Sequence, residues 1–171
     1  MNSKDRRQSI KKILVEANNA KKGSELALTF SVTRQVIVKD VALLRASGIN
    51  IIATPEGYMI PKIQLDTIRR LVVLSHTKDE IEEELKIIVR FGGVIEDVIV
   101  EHPLYGEIKA MLMIKTYEDI NGFISRFNSS NAQALSTLTL GIHIHTITAE
   151  STEIMDKITN ELRHKGFLIL D

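Results

Sequence analysis

The sequence predicts an α+β protein made of two parts, an N-terminal helical domain with a β-hairpin and a C-terminal α/β sandwich. The apolar pattern has helical spacing up to Gly48 and then alternates between strand-like and helix-like segments. Residues 1–70 carry 13 Lys and Arg against 6 Asp and Glu, a net charge of +7, whereas residues 71–171 carry 9 against 16, a net charge of −7. Such an asymmetry indicates a nucleic-acid-binding part joined to a part with another role.

The composition excludes several classes of protein. The chain has no cysteine, which excludes disulfide scaffolds, thiolate zinc fingers, iron–sulfur clusters and cysteine nucleophiles. Hydrophobic residues make up 44% of the chain and charged residues 26%, so it is neither disordered nor fibrous. The apolar runs are too short to span a membrane, and no secretory signal follows Met1. We therefore expect a cytoplasmic protein with no membrane contact.

Three short helices and a hairpin are expected in a first domain, residues 1–60. Apolar spacing and polar caps predict the helices Asp5–Ala17, which Ser3 can cap, Ser24–Phe30, and a third that Thr33 caps and that ends near Ala46. A turn at residues 54–57 joins two strand-like runs, Ile49–Ala53 and Tyr58–Ile60. This order is the winged-helix variant of the helix-turn-helix, whose third helix can lie in the major groove of DNA.

The third helix begins with side chains of the kind that contact DNA, although a plain solvent-exposed helix would also be polar here. Arg34 can bridge guanine and Gln35 adenine, while Thr33 and Lys39 can hold phosphates. Lys21, the hairpin, Lys22 and Arg45 are expected to add phosphate contacts. The predicted DNA-binding residues are Lys22, Thr33, Arg34, Gln35, Lys39 and Arg45.

A second domain, residues 69–171, is expected after a linker at residues 61–68. The predicted strands are Leu71–Ser75, Val94–Glu101, Glu107–Lys115, a β-prone stretch that ends in Gly141–Ala149, and Phe167–Leu170. The predicted helices are Lys78–Phe91, Tyr117–Asn128 and Ser151–His164. The order βαββαβαβ predicts a sandwich with helices on one sheet face, similar to a ferredoxin-like unit with an extension.

Histidine and glutamate residues in this domain have a spacing that suits a metal ion. His143 and His145 alternate along one strand, so their rings share a face with Cα atoms roughly 6.5–7 Å apart. His76 follows the first strand and precedes an acidic helix. A helix that began at His76 would place Glu84 ~12 Å along its axis, which makes Glu80, one turn away, the easier ligand. The residues alone leave the choice between Glu80 and Glu84 open.

A third histidine lies in the turn between two predicted strands. His102 and Tyr105 place an imidazole and a phenol beside the rigid Pro103, a combination that suits the edge of a small-molecule pocket. A plain hairpin turn would need no function.

These motifs together resemble the niacin-responsive transcriptional repressors of Gram-positive bacteria and their relatives. V-T-R-Q-V-I-V-K-D-V-A-L-L-R and I-I-A-T-P-E-G-Y are similar to the winged helix of that family. L-S-H-T, the acidic helix with E-E-L, V-E-H-P-L-Y-G-E and L-T-L-G-I-H-I-H-T-I are similar to its three-histidine (3H) domain. The resemblance covers nearly the whole chain, and the motifs fall in the order of the family.

The resemblance implies a dimeric repressor of genes for nicotinamide-cofactor synthesis or niacin uptake, with nicotinic acid as co-repressor and operator DNA as partner. It implies that a transition metal (nickel, zinc, iron or manganese) is held by residues that match His76, Glu84, His143 and His145. It places His102 and Tyr105 in the effector pocket. Two alternatives stay open, a regulator for which the metal itself is the signal and a metal-dependent hydrolase fused to a DNA-binding domain.

Overall fold

The computed structural model describes residues 2–62 and 66–169, which form two compact units divided after residue 63. Because residues 63–65 and 170 are not described, part of the predicted linker and the end of the predicted last strand lie outside the described residues. No helix within the described ranges is long and apolar enough to cross a membrane.

The first unit contains three helices and a two-stranded sheet. The helices are α1 (Ser3–Glu16), α2 (Gly23–Thr29) and α3 (Arg34–Ala46), and the strands are β1 (Ile52–Thr54) and β2 (Gly57–Met59). Eight buried residues form its core: Ile10, Leu14, Leu26, Ala27, Ile37, Val41, Leu44 and Ile51. The two strands pair antiparallel, with Ile52 opposite Met59. This is the three-helix and hairpin order that the sequence predicts.

Local capping determines where the helices of the first unit begin. Thr33 caps α3 as predicted, since its hydroxyl accepts a hydrogen bond from the Val36 N–H. The predicted cap of α1 is wrong by one residue, because the side chain of Asn2, and not that of Ser3, accepts the Asp5 N–H. The backbone of Lys21 pairs in both directions with Tyr58, which adds a third short segment to the hairpin.

The second unit is a four-stranded antiparallel sheet with three α-helices. Its strands are β3 (Ile68–Ser75), β4 (Val94–His102), β5 (Gly106–Ile114) and β6 (Ile142–Ala149). Its helices are α4 (Ile81–Arg90), α5 (Tyr117–Ser129) and α6 (Thr152–His164). The strand order β3-β6-β4-β5 makes β3–α4–β4 a split βαβ unit, with β6 between its two parallel strands.

Three predicted elements of this unit differ in the structure. The acidic helix is split, since a 3₁₀ turn (Lys78–Glu80) precedes α4. The stretch before Gly141 is not β-structure but a 3₁₀ helix, Leu135–Thr139. In place of a full last strand, Leu168 forms a single bridge with Leu74, and Ile169 donates its N–H to the Val73 carbonyl.

One face of the sheet packs on the helices to form the core of the second unit. Val72 and Leu74 on β3 and Ile147 on β6 are buried beneath the helices, together with Leu85 and Ile88 from α4. Leu71 and Val73, which point the other way, are 63% and 38% exposed. The register pairs Leu74 with His143 and Val72 with His145, so both histidines lie on the helix-covered face.

Candidate metal centre and DNA-binding helix

Three histidines converge on the carboxylate of Glu84 between the sheet and α4. The Nε2 atoms of His76 and His143 lie 2.8 Å and 3.6 Å from Glu84 Oε2, and His145 Nε2 lies 2.9 Å from Oε1. His76, Glu84 and His143 each offer a ligand atom within 4.8 Å of the others. All four side chains are at most 4% exposed. The structure therefore brings together the four residues that the sequence singles out.

The choice between the two candidate glutamates follows from the start of the acidic helix. Glu80 does not face the histidines, because its Oε2 accepts hydrogen bonds from the Thr77 N–H at 2.8 Å and the Thr77 hydroxyl at 2.7 Å. This is a capping box, in which a side chain closes the first turn of a helix. His76 precedes that turn and projects back toward α4, so it reaches Glu84, eight residues further on.

The second ring nitrogen of every histidine in the cluster faces a backbone carbonyl. His76 Nδ1 lies 2.8 Å from the Thr77 oxygen, His143 Nδ1 2.8 Å from the Gly141 oxygen and His145 Nδ1 2.5 Å from the Asp97 oxygen. A carbonyl only accepts hydrogen bonds, so each Nδ1 carries the proton. In the neutral imidazole, Nε2 then presents a lone pair toward Glu84. This outer-shell arrangement is typical of histidines that bind a metal.

The metal-free cluster leaves one polar atom without a hydrogen bond. Glu84 Oε1 is buried and accepts no hydrogen bond within the described part of the chain, although His145 Nε2 is 2.9 Å away, because the two groups are not aligned for one. Buried carboxylate oxygens nearly always have a partner. A cation among these four side chains would satisfy both the oxygen and the three lone pairs, so the donor set fits a transition metal.

The ionisation of the cluster follows from burial and mutual contact. Burial is the largest influence on Glu84 and raises its pKa, but the three histidines together outweigh it and hold the pKa well below its ordinary value. Burial lowers the pKa of His145 and of His76, yet the Glu84 carboxylate more than compensates and leaves both pKa values raised. Without a metal, the site is thus arranged to bind protons.

Gly141 lets β6 begin close to His76. Its φ is +98°, and a Cβ atom there would lie 2.7 Å from the backbone oxygen of His76. A residue with a side chain would be strained in this conformation and would push the two segments apart. Gly141 also supplies the carbonyl that orients His143. Sequence reasoning missed this glycine, although its position just before H-I-H is the available signal.

The two predicted effector residues contact each other on an exposed turn. His102 and Tyr105 have ring centroids 5.0 Å apart, and His102 Nδ1 accepts hydrogen bonds from the Leu104 and Tyr105 N–H groups. Leu104 and Tyr105 are 75% and 72% exposed. The antiparallel pairing of β4 with β6 places this turn at the end of the sheet where β6 begins and His143 lies.

The side chains predicted to contact DNA lie on the solvent side of the first unit. Arg34, Gln35 and Lys39 are exposed along α3, and Lys22 is exposed before α2. The Thr33 oxygen caps α3 and so has a structural role as well. Arg45 donates through Nε to the Ile51 carbonyl at 2.7 Å, which ties α3 to the segment before β1. Residues 52–59 contain no Lys or Arg, so the hairpin brings no cation to a phosphate.

Val38 and Ala42 extend the exposed stripe of α3 that Arg34, Gln35 and Lys39 begin. Both are exposed and fall one helical turn apart on the same face. Sequence reasoning missed them as candidates because they are apolar. Apolar side chains on a groove-facing helix can contact the methyl group of thymine.

The helix-turn-helix with its polar α3 and the three-histidine cluster define a class of protein, a DNA-binding regulator with a separate sensory unit. Comparison with known families agrees with this class. Residues 6–59 match the model of an HTH domain, and residues 69–171 match that of the 3H domain. The chain is 44% identical to the "Probable transcription repressor NiaR" of Thermotoga maritima over 165 residues, 96% of this chain and 94% of the relative. It is 38% identical to the "Transcription repressor NadR" of Bacillus subtilis over 170 residues, 98% and 94%.

The chain therefore belongs to the family of transcription repressors that join an HTH domain to a 3H domain. Membership of this family confirms the predicted α+β class with its HTH and 3H parts. It also identifies the chain as a DNA-binding repressor and not as an enzyme, so the hydrolase alternative is not considered further.

Proposed function

We propose that this repressor acts in the cytoplasm as a homodimer on operator DNA, with nicotinic acid as co-repressor and a transition metal in the 3H domain. In this proposal it represses genes for nicotinamide-cofactor synthesis or niacin uptake. The metal would be nickel, zinc, iron or manganese, held by His76, Glu84, His143 and His145. The observation that carries the proposal is the set of three Nδ1–carbonyl hydrogen bonds that aim three Nε2 atoms at one buried carboxylate.

The metal would supply a positive charge and an affinity for carboxylate or pyridine nitrogen, the two donor groups of nicotinic acid. The residues of this chain would do the remaining work. His102 carries its proton on Nε2, because Nδ1 accepts two backbone hydrogen bonds, and so can donate to a carboxylate. The Tyr105 ring, 72% exposed, offers an aromatic surface to a pyridine ring. Both residues lie at the end of the sheet where His143 is found, which supports an effector site there.

A second candidate function is supported by the burial of the cluster. With His76 and Glu84 each 1% exposed and His143 3% exposed, the site is closed by the protein itself. Four protein ligands in a closed site are typical of structural metals. A buried ion would then act as the signal by its presence or absence, without contact to an organic effector.

Crossed titrations distinguish the two candidates. An operator duplex is first selected from random DNA with the intact protein, and its affinity is then measured with nicotinic acid at fixed Zn²⁺ and with Zn²⁺ at fixed nicotinic acid. Tighter binding with nicotinic acid while Zn²⁺ is saturating supports the co-repressor proposal. A response to Zn²⁺ alone, with no effect of nicotinic acid, supports the metal-responsive alternative. Thermal unfolding in the presence of pyridine carboxylates gives an independent measure of ligand binding.

A further inference from the structure

The carbonyl that orients His145 is released from the sheet by an irregularity in β4. Ile95 lies opposite Ile147 on β6, but Asp97 lies opposite Thr146, so β4 has one more residue than its partner in this stretch. The register with β5 shifts at the same place, where Met113 adopts a φ of +54°. Such bulges free a backbone group from the ladder and redirect side chains. Here the freed Asp97 oxygen accepts the Nδ1 proton of His145 at 2.5 Å.

The side chain of Asp97 holds this bulge in place. It is fully buried, and its Oδ1 accepts the N–H of Thr146 at 3.0 Å, a ladder donor that the bulge would otherwise leave without a partner. Lys109 on β5 places its Nζ 2.7 Å from Oδ2. One aspartate therefore connects all three strands at the point where the His145 ring is anchored.

We propose that Asp97 is a positioning residue for the metal centre, which sets the tautomer and orientation of His145 through the bulge. It touches neither the metal nor Glu84, and it acts through its own backbone oxygen. Removal of the carboxylate frees the Thr146 N–H and the Lys109 ammonium, relaxes the bulge and withdraws the carbonyl from His145. His145 can then carry its proton on Nε2, where a metal would have to displace it. This inference relies on the proposed metal-binding function.

Two measurements on the full-length protein test this role. The tautomer of His145 is read from its ¹⁵N ring shifts in metal-free protein at pH 9, and Zn²⁺ affinity is measured by competition with a chromogenic chelator. Wild-type protein is expected to have its His145 proton on Nδ1. Asp97→Ala is expected to shift part of the population to the Nε2–H tautomer and to weaken Zn²⁺ binding about 10- to 100-fold, the range seen for outer-shell partners of metal ligands. Asp97→Asn keeps an acceptor for Thr146 and is expected to retain the tautomer.

Asp119→Ala is the matched control, because it removes an equally well-bonded aspartate from the same unit. Asp119 accepts the N–H groups of Lys115 and Thr116 in the capping box of α5, away from the cluster. We expect it to lower stability while both the tautomer and Zn²⁺ affinity stay as in wild type. Asp97→Ser, which leaves a small polar group in the same place, is measured in parallel in case the alanine variant fails to fold.

The outcomes separate this inference from the proposed function. A folded Asp97→Ala or Asp97→Ser protein with an unchanged tautomer and a Zn²⁺ affinity within twofold of wild type would overturn the positioning role. Wild-type protein that does not bind Zn²⁺ would overturn the metal site instead, while the tautomer measurement would still decide whether Asp97 positions His145.

Discussion

Glu84 Oε1 and His145 Nε2 lie 2.9 Å apart and form no hydrogen bond, although both groups are buried. The Nδ1 proton of His145 is held by the Asp97 carbonyl, so neutral His145 has a lone pair where the carboxylate needs a donor. Two ligands can relieve this arrangement, a second proton on the imidazole or a metal cation. The competition between them gives a pH dependence.

We expect Zn²⁺ to raise the melting temperature of the protein more at pH 8 than at pH 6. The pKa values of His76 and His145 are raised above 6.5 in the metal-free protein. Their contribution to stability is therefore complete below pH 6.5 and is lost as the pH rises through the folded-state pKa values. At pH 8 the metal no longer competes with these protons. Thermal unfolding with and without Zn²⁺ at both pH values measures the difference.

Glu84→Gln and His164→Ala serve as comparisons for this pH effect. The first removes the charge that raises both histidine pKa values, so we expect it to lose most of the Zn²⁺-dependent shift. The second removes an exposed histidine at the end of α6 and should behave as wild type. An equal shift at pH 6 and pH 8 in wild-type protein would contradict the prediction.

We expect Asp40→Ala to destabilise the first unit by about 3 kcal/mol. Asp40 is buried in α3, with the Arg6 Nε at 2.6 Å and the Arg7 Nη1 at 3.6 Å, both from α1. Loss of one partner of a buried ion pair leaves the other charge uncompensated, which costs about 3–5 kcal/mol. Urea denaturation followed by circular dichroism measures the change. Glu16→Ala, which removes an exposed carboxylate 4.0 Å from Lys12, should change stability by less than ~0.5 kcal/mol.

A smaller loss would show that Arg6 turns to solvent once Asp40 is gone. Arg6→Met combined with Asp40→Leu separates these cases, since an apolar replacement of both partners is often tolerated. If the double variant is no more stable than Asp40→Ala, burial of the arginine is not the cause.

Local signals in the sequence were sufficient for α3 but not for the metal ligands. Thr33 and Gly48 mark the ends of that helix through capping and a positive φ of +90°, effects that depend on a few neighbouring residues. The approach of His76 to Glu84 depends on how a strand end, a 3₁₀ turn and a helix are packed. Helical spacing alone therefore favours Glu80, and the resemblance to a family was needed to select Glu84.

The bulge in β4 had no signal in the sequence. Met113 adopts a left-handed conformation without a glycine to mark it, and Asp97 lies in a stretch that reads as an ordinary alternating strand. The pairing of three strands determines which carbonyl is free, and sequence-local reasoning has no access to that pairing. The 3₁₀ helix before Gly141 was mistaken for β-structure because Leu and Thr are common in both.

We expect Arg34→Ala to weaken operator binding by about 1–3 kcal/mol for each base that the arginine contacts, while fold and metal content stay unchanged. Arg34 is exposed at the start of α3, where a recognition helix approaches the bases. Gel-shift titration at fixed salt should show no retarded band at concentrations that saturate wild-type protein. Lys12→Ala removes the same charge from α1 and should only reduce affinity slightly for all sequences. Unchanged affinity of Arg34→Ala for the operator would contradict the assignment.

We expect the protein to sediment as a dimer of 19.2 kDa chains at micromolar concentration. A single winged helix makes few base contacts, and two-fold operators pair with two-fold proteins. The outer face of the sheet carries adjacent exposed aliphatic side chains, among them Leu71, Val73 and Ile142, which a second copy would cover.

Leu71→Asp tests whether this face forms the dimer contact. We expect the variant to sediment as a monomer with wild-type metal content, whereas Leu28→Asp, at an 80% exposed position on α2, should remain dimeric. A wild-type protein that stays monomeric with and without nicotinic acid would refute the dimer. A dimeric Leu71→Asp protein would place the contact elsewhere.

We expect the double variant His143→Ala and His145→Ala to lose the metal and the response to nicotinic acid while non-specific DNA affinity survives. Both residues belong to the sheet of the second unit, whereas Arg34, Gln35 and Lys39 belong to the first. Non-specific affinity arises from phosphate neutralisation by the basic residues 1–70, which these substitutions leave intact. A ligand shifts operator affinity only through its differential affinity for two states of the protein, so loss of the effector site removes the shift.

Elemental analysis of the double variant, combined with operator titration with and without nicotinic acid, measures both effects. His102→Ala is the informative partner variant, since it leaves all four proposed ligands in place. If the double variant lacks metal but still binds its operator more tightly with nicotinic acid, the metal is structural. The co-repressor would then contact the His102 and Tyr105 turn without the metal, and His102→Ala would abolish the response while retaining a full complement of metal.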